Sequence, residues 1–113
     1  MMKYYTRLEE SKKQDSGNGH YSYPLLDESN GCGKNCATGI SYYTACEFTP
    51  PAIHEFDEGF MVLSGKGYAR VAEEEFPIDD QVSFFVPAGT EHALKSGSEE
   101  EPLVLFWYHA QAR

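Results

Sequence analysis

Apolar and polar positions along this 113-residue chain change over in short bursts. No segment repeats apolar residues at the i, i+3, i+4, i+7 spacing of a core-facing helix. Instead, brief runs rich in β-branched and aromatic residues are separated by turn or charge clusters. "ISYYTACEF" (40–48), "GFMVLSG" (59–65), "GYARVA" (67–72), "VSFFVP" (82–87) and "LVLFWYH" (103–109) read as strands. "GKG", "EEEFPIDDQ", "PAGTEH" and "KSGSEEEP" read as the clusters between them. Near the start, "KKQDSGNGH" reads as a loop. "YSYPLL" (21–26) reads as an edge strand, because Pro24 bars it from the middle of a sheet. "TRLEESKK" holds the one plausible helical turn. Short strands at this spacing predict an all-β fold with at least six antiparallel strands, a small barrel or sandwich.

Length allows one domain and excludes two. Residues 1–39 form an N-terminal segment with a loop and that edge strand, and residues 40–113 form the β-barrel. Hydrophobic residues are 41% of the chain and aromatics 14%, enough for a core. The net charge of −9 repels phosphates, so nucleic acid and anionic membrane are excluded as partners. The first residues lack the apolar stretch of a secretory leader, and no apolar run approaches a membrane span. Three cysteines, an odd number, argue against a disulfide framework and predict a cytoplasmic protein. Cys32 and Cys36, spaced C-x3-C in a Gly-rich loop, have no second pair to complete a zinc site.

Parity carries the candidate chemistry. His54, Phe56, Glu58, Phe60 and Val62 share one face of an extended chain, although a turn around Asp57–Gly59 would break the alternation. "PAGTEH" places His92 just after a Pro-Gly turn that can return it to the same interior. Two imidazoles and one carboxylate, His54, His92 and Glu58, then form a ligand set suited to a divalent transition metal with open coordination positions.

"HEFDEGFMVLSGKG" and "VPAGTEH" resemble the two motifs of the cupin superfamily, G-x5-H-x-H-x3-E-x6-G and G-x5-P-x-G-x2-H-x3-N. His54, Glu58 and Gly65 fall on places of the first motif, and Pro87, Gly89 and His92 on places of the second. The likeness spans about residues 40–109. It implies a double-stranded β-helix, or jelly roll, with a metal (Fe, Ni, Zn or Mn) at His54, Glu58 and His92, a small-molecule ligand, and assembly as a homodimer. Four places depart from the pattern. Ala52 stands where the first histidine belongs, Cys46 and Gln81 replace the opening glycines, and Ser96 replaces the final asparagine.

Four residues could refill the ligand place left by Ala52: Cys46, His20, Tyr43 and His109. Cys46 reads as a small buried residue late in a strand, and His20 and His109, near the chain ends, as surface residues. Two functions stay open. One is a metal-dependent enzyme of oxygenase, isomerase or lyase type. The other is a non-catalytic binding or sensing module with a degenerate metal site. In the last strand, alternation sends Phe106 and Tyr108 to one face and Trp107 to the other.

Overall fold

Alternation positions the strand that carries Glu58. The computed structural model describes residues 2–112. In it, β4 (Phe56–Ser64) runs straight through Asp57–Gly59 with no turn. Glu58, Phe60 and Val62 are buried, while Met61 and Leu63 on the opposite face are exposed. The run therefore behaves as a half-buried strand, apolar inward and more open outward.

Among the described residues, nine strands form in chain order. Before β4 come β1 (Gln14–Gly17), β2 (His20–Pro24) and β3 (Ala37–Tyr43). After it come β5 (Gly67–Val71), β6 (Glu74–Ile78), β7 (Ser83–Val86), β8 (His92–Ser96) and β9 (Leu103–Gln111). The helical content among the described residues is two 3₁₀ turns, Leu8–Glu10 and Glu28–Asn30. Every pairing is antiparallel. A six-stranded sheet runs in the order β1-β2-β3-β9-β4-β7, and a three-stranded sheet in the order β6-β5-β8. The core draws on both: Phe60, Val62, Leu103, Leu105 and Trp107 from the large sheet, Ala69, Ile78 and Leu94 from the small one. This is the all-β architecture that the strand pattern predicts, in the jelly-roll form that the cupin resemblance implies.

The structure corrects the sequence reading in four places. The loop at 12–20 is a β-hairpin: Asn18 and Gly19 both take left-handed backbone conformations and join β1 to β2. Asn-Gly is the strongest short hairpin signal. As a result β2 is no edge strand, since β1 covers one side and β3 the other. Pro24 is still tolerated, because the β1 pairing stops at Ser22. "EEEFPIDDQ" contains a strand, β6, whose glutamates stay in water while Ile78 enters the core. Finally, β3 stops at Tyr43, so Cys46 lies beyond it and is exposed rather than buried.

Close packing between β3 and β9 depends on one missing side chain. Gly39 pairs with Trp107, and the indole packs directly against it. A Cβ at position 39 would come within 2.2 Å of the ring. Gly39→Ala should therefore push the indole off β3 and destabilise the fold by about 2 kcal/mol, the usual scale for overpacking a core. Urea unfolding followed by the fluorescence of Trp107, the single tryptophan, measures it.

Candidate metal centre

Glu58 enters the interior because β4 alternates, and the register of β4 against β9 decides what it meets. Its direct cross-strand partner is His109. Opposed residues on one sheet face hold their Cβ atoms about 5 Å apart. The imidazole Nε2 of His109 accordingly donates to Glu58 Oε2 at 2.8 Å. The other carboxylate oxygen, Oε1, points to two further imidazoles. His92 Nε2 lies 3.2 Å from it and His54 Nε2 lies 3.7 Å away. Neither is aligned as a hydrogen-bond donor, so Oε1 is buried and unpartnered.

His54 and His92 arrive from segments tied to each other. Ala52 exchanges two backbone hydrogen bonds with His92, at 2.9 and 3.0 Å. Pro87–Thr90 makes a turn closed by Thr90 N–H to Pro87 O, with Gly89 at a φ of 78°. Only glycine takes that conformation without strain. The Gly89 amide donates to the His54 carbonyl at 2.8 Å, and the Ala88 amide to the Asp57 carboxylate at 2.9 Å. The turn that delivers His92 thus also clamps the entry to β4.

An aromatic stack fixes the rings. Trp107 lies against His109 at 4.5 Å between centroids, His109 against Phe56 at 4.1 Å, and Phe56 against His54 at 4.8 Å. Burial alone would push the Glu58 carboxyl up. The His109 hydrogen bond and the nearness of His92 outweigh it and hold the pKa down at about 2, so Glu58 is a carboxylate. Burial pulls the His54 imidazole below its ordinary value, against the attraction of Glu58, which favours the neutral form able to ligate a metal. The centre opens onto a cavity of about 380 Å³.

The structure brings His54, Glu58 and His92 together: one ligand atom from each lies within 4.8 Å of the others. Of the residues considered for the place vacated by Ala52, Cys46 is exposed and not among those lining the cavity, while Tyr43 does line it. His109 and His20 are not surface residues either, since both line the same cavity. For His109 the signal was present in the sequence. The alternation that turns Trp107 inward turns His109 inward too. For His20 the signal was the Asn-Gly turn, which folds the N-terminal segment back against the barrel.

A sequence model of the cupin domain matches residues 44–109. This chain belongs to the cupin family. Solved cupins share its fold at low identity. An RmlC-like cupin from Shewanella frigidimarina superposes with a TM-score of 0.79 at 17% identity, over 98% of this chain and 93% of its own. A predicted oxalate decarboxylase from Thermotoga maritima gives 0.81 at 15% identity, over 94% and 97%. The hydroxypropylphosphonic acid epoxidase of S. wedmorenis gives 0.79 at 13%, over 94% of this chain and 58% of the enzyme. No curated protein sequence matches the chain. In this cupin the two motifs meet at Glu58, and β9 adds an imidazole from outside both.

His109→Ala should leave the buried Glu58 carboxylate without its one hydrogen-bond donor. The expected loss is about 2 kcal/mol of metal-free stability, the scale of a hydrogen bond to a charged group. Urea unfolding in the presence of a chelator measures it. Retention of full stability would show that water replaces the imidazole.

Proposed function

We propose that this cupin holds a divalent transition metal through His54 Nε2, His92 Nε2 and Glu58 Oε1, and binds a small organic molecule beside it as a metal-dependent enzyme of oxygenase, isomerase or lyase type. The observation that carries the reading is Glu58 Oε1, a buried carboxylate oxygen with no donor, facing two imidazole nitrogens. A buried charge is costly unless it is paired or ligates a metal, and a cation among these three atoms removes that cost. Two imidazoles and one carboxylate also match the donor set of metals such as Fe, Mn, Ni and Zn, and leave coordination positions open.

When bound, such an ion supplies Lewis-acid polarisation or, as Fe(II), oxygen chemistry. The protein's own groups do the rest. His109, bonded to Oε2, holds the carboxylate so that Oε1 faces inward; such outer partners commonly contribute tenfold or more to metal affinity. Phe60 and Trp107 supply apolar wall next to the ligand atoms, which keeps the local dielectric low. Ala52 contributes a methyl group where a third imidazole would sit.

That alanine favours the second reading, a non-catalytic binding module, and metal titration separates the two. Calorimetry with Zn²⁺ or Ni²⁺ should show one site on the wild type and none on His92→Ala. Ala52→His should bind at least about tenfold more tightly, roughly 1.4 kcal/mol. Residue 52 lies two positions before His54 and lines the cavity, so a new imidazole can reach the same ion at about 2.0–2.1 Å. Equal affinity in all three proteins would leave the binding module standing.

We further propose a homodimer across the outer face of the large sheet. Met61 and Phe106 are cross-strand partners there, and Met61, Phe85 and Tyr108 are each at least 40% exposed. A sheet face this apolar needs a cover, and a second copy offers the same surface. Phe85→Glu should convert the dimer to a monomer in sedimentation velocity. A monomeric wild type would exclude this assembly.

A further inference from the structure

The cavity has a second polar side, away from the metal ligands in sequence and built by the N-terminal hairpin. His20 opens β2 and pairs with Tyr43 of β3. Its ring stacks on the Tyr43 ring at 4.2 Å and 12°. The hairpin is pinned there, because Thr44 donates to the Gly19 carbonyl from both its amide, at 2.9 Å, and its hydroxyl, at 3.1 Å. His20 Nε2 is nevertheless buried without a hydrogen-bond partner. A ring held this firmly, with an unmet polar atom on a cavity wall, is arranged for a group the protein does not itself supply. Ser22 and Ser41 line the same side.

The charges on the wall restrict that group. Among the described residues lining the cavity there is no lysine and no arginine. Glu58 is the one carboxylate, and the other polar groups on the wall are imidazoles, hydroxyls, the Asn18 carboxamide, the Trp107 indole and backbone. Burial keeps the Tyr43 phenol well above its ordinary pKa, so it remains a neutral donor. A divalent ion held by one carboxylate leaves a single positive charge to be matched. A dianion would bring a second negative charge into a low-dielectric site with no cationic side chain to pair it. The chain's net charge of −9 adds to the repulsion.

We propose that the cavity binds a small organic molecule that is neutral or singly negative, that presents an oxygen toward the metal, and that accepts or donates a hydrogen bond at His20. This rests on the metal-centre reading for the oxygen and the charge. The role of His20 rests on the hairpin alone. About 380 Å³ matches the lower range of small-ligand pockets, about 300–1,000 Å³. The N-terminal hairpin is then part of the binding site, and His20 is a specificity-determining residue.

Two probes test it on the Zn²⁺-loaded full chain: benzohydroxamate, singly negative when it chelates, and phenylphosphonate, at a pH where it is a dianion. Calorimetry should show benzohydroxamate binding at least about tenfold more tightly than phenylphosphonate. His20→Ala should weaken benzohydroxamate about tenfold, and His20→Gln, whose amide can still hydrogen-bond, should recover most of the loss. Zn²⁺ affinity should be the same in all three proteins, which shows that the centre is intact. Tighter binding of the phosphonate overturns the charge assignment. Equal benzohydroxamate affinity in wild type and His20→Ala, with Zn²⁺ retained, overturns the role of His20 and leaves the metal reading standing. Wild type that binds no Zn²⁺ overturns the metal reading and the charge assignment together. The His20 comparison is then made on metal-free protein with benzamide, where a tenfold loss in His20→Ala upholds that role and equal binding overturns it.

Discussion

A carboxylate taken out of water must be met on every side, and in this cupin Glu58 sets that demand for the whole interior. Its Oε2 is met by His109 from the strand next door, through a register that places the two residues directly opposite. Its Oε1 is met only by the approach of His54 and His92. The asymmetry has a physical consequence. One oxygen is locked by a hydrogen bond, so the other has a defined direction, and that direction is the space between two imidazoles. A carboxylate free to rotate would spread its charge and hold a cation less well.

The surrounding packing serves the same geometry. Trp107 can stack on His109 because Gly39 leaves room for the indole on β3. The stack continues through Phe56 to His54, so His109 is held between two apolar rings and His54 against one. On the other side, Gly89 of the Pro87–Thr90 turn fastens His54, and Ala52 fastens His92, both through backbone hydrogen bonds. Backbone and ring contacts of this kind constrain position without placing competing ligands near the nitrogens.

The N-terminal third ties into this arrangement rather than hanging from it. β1 and β2 extend the large sheet, and the β1–β2 hairpin supplies part of the cavity wall. The cupin match begins at residue 44, so this wall comes from outside the matched region.

By itself the sequence determined the class of fold and named three residues that the structure brings together. Alternating apolar runs between turn clusters can bury their apolar face only as packed strands. Parity put Glu58, Phe60 and Val62 on one side, and the resemblance of "HEFDE" and "PAGTEH" to the two cupin motifs put His54 and His92 with them. Local pattern could not reach further, because the remaining facts are relations between distant segments. That His109 meets Glu58 follows from the β4–β9 register, which spans 51 positions of chain. Nearness to the C-terminus suggested the surface, yet strand alternation had already turned that ring inward. His20 came inside through an Asn-Gly hairpin whose residues look like polar loop. "EEEFPIDDQ" became a strand because Ile78 could reach the core while its glutamates stayed in water. Which residues face inward is a local property of strands. Which of them face each other is decided only when the sheets close.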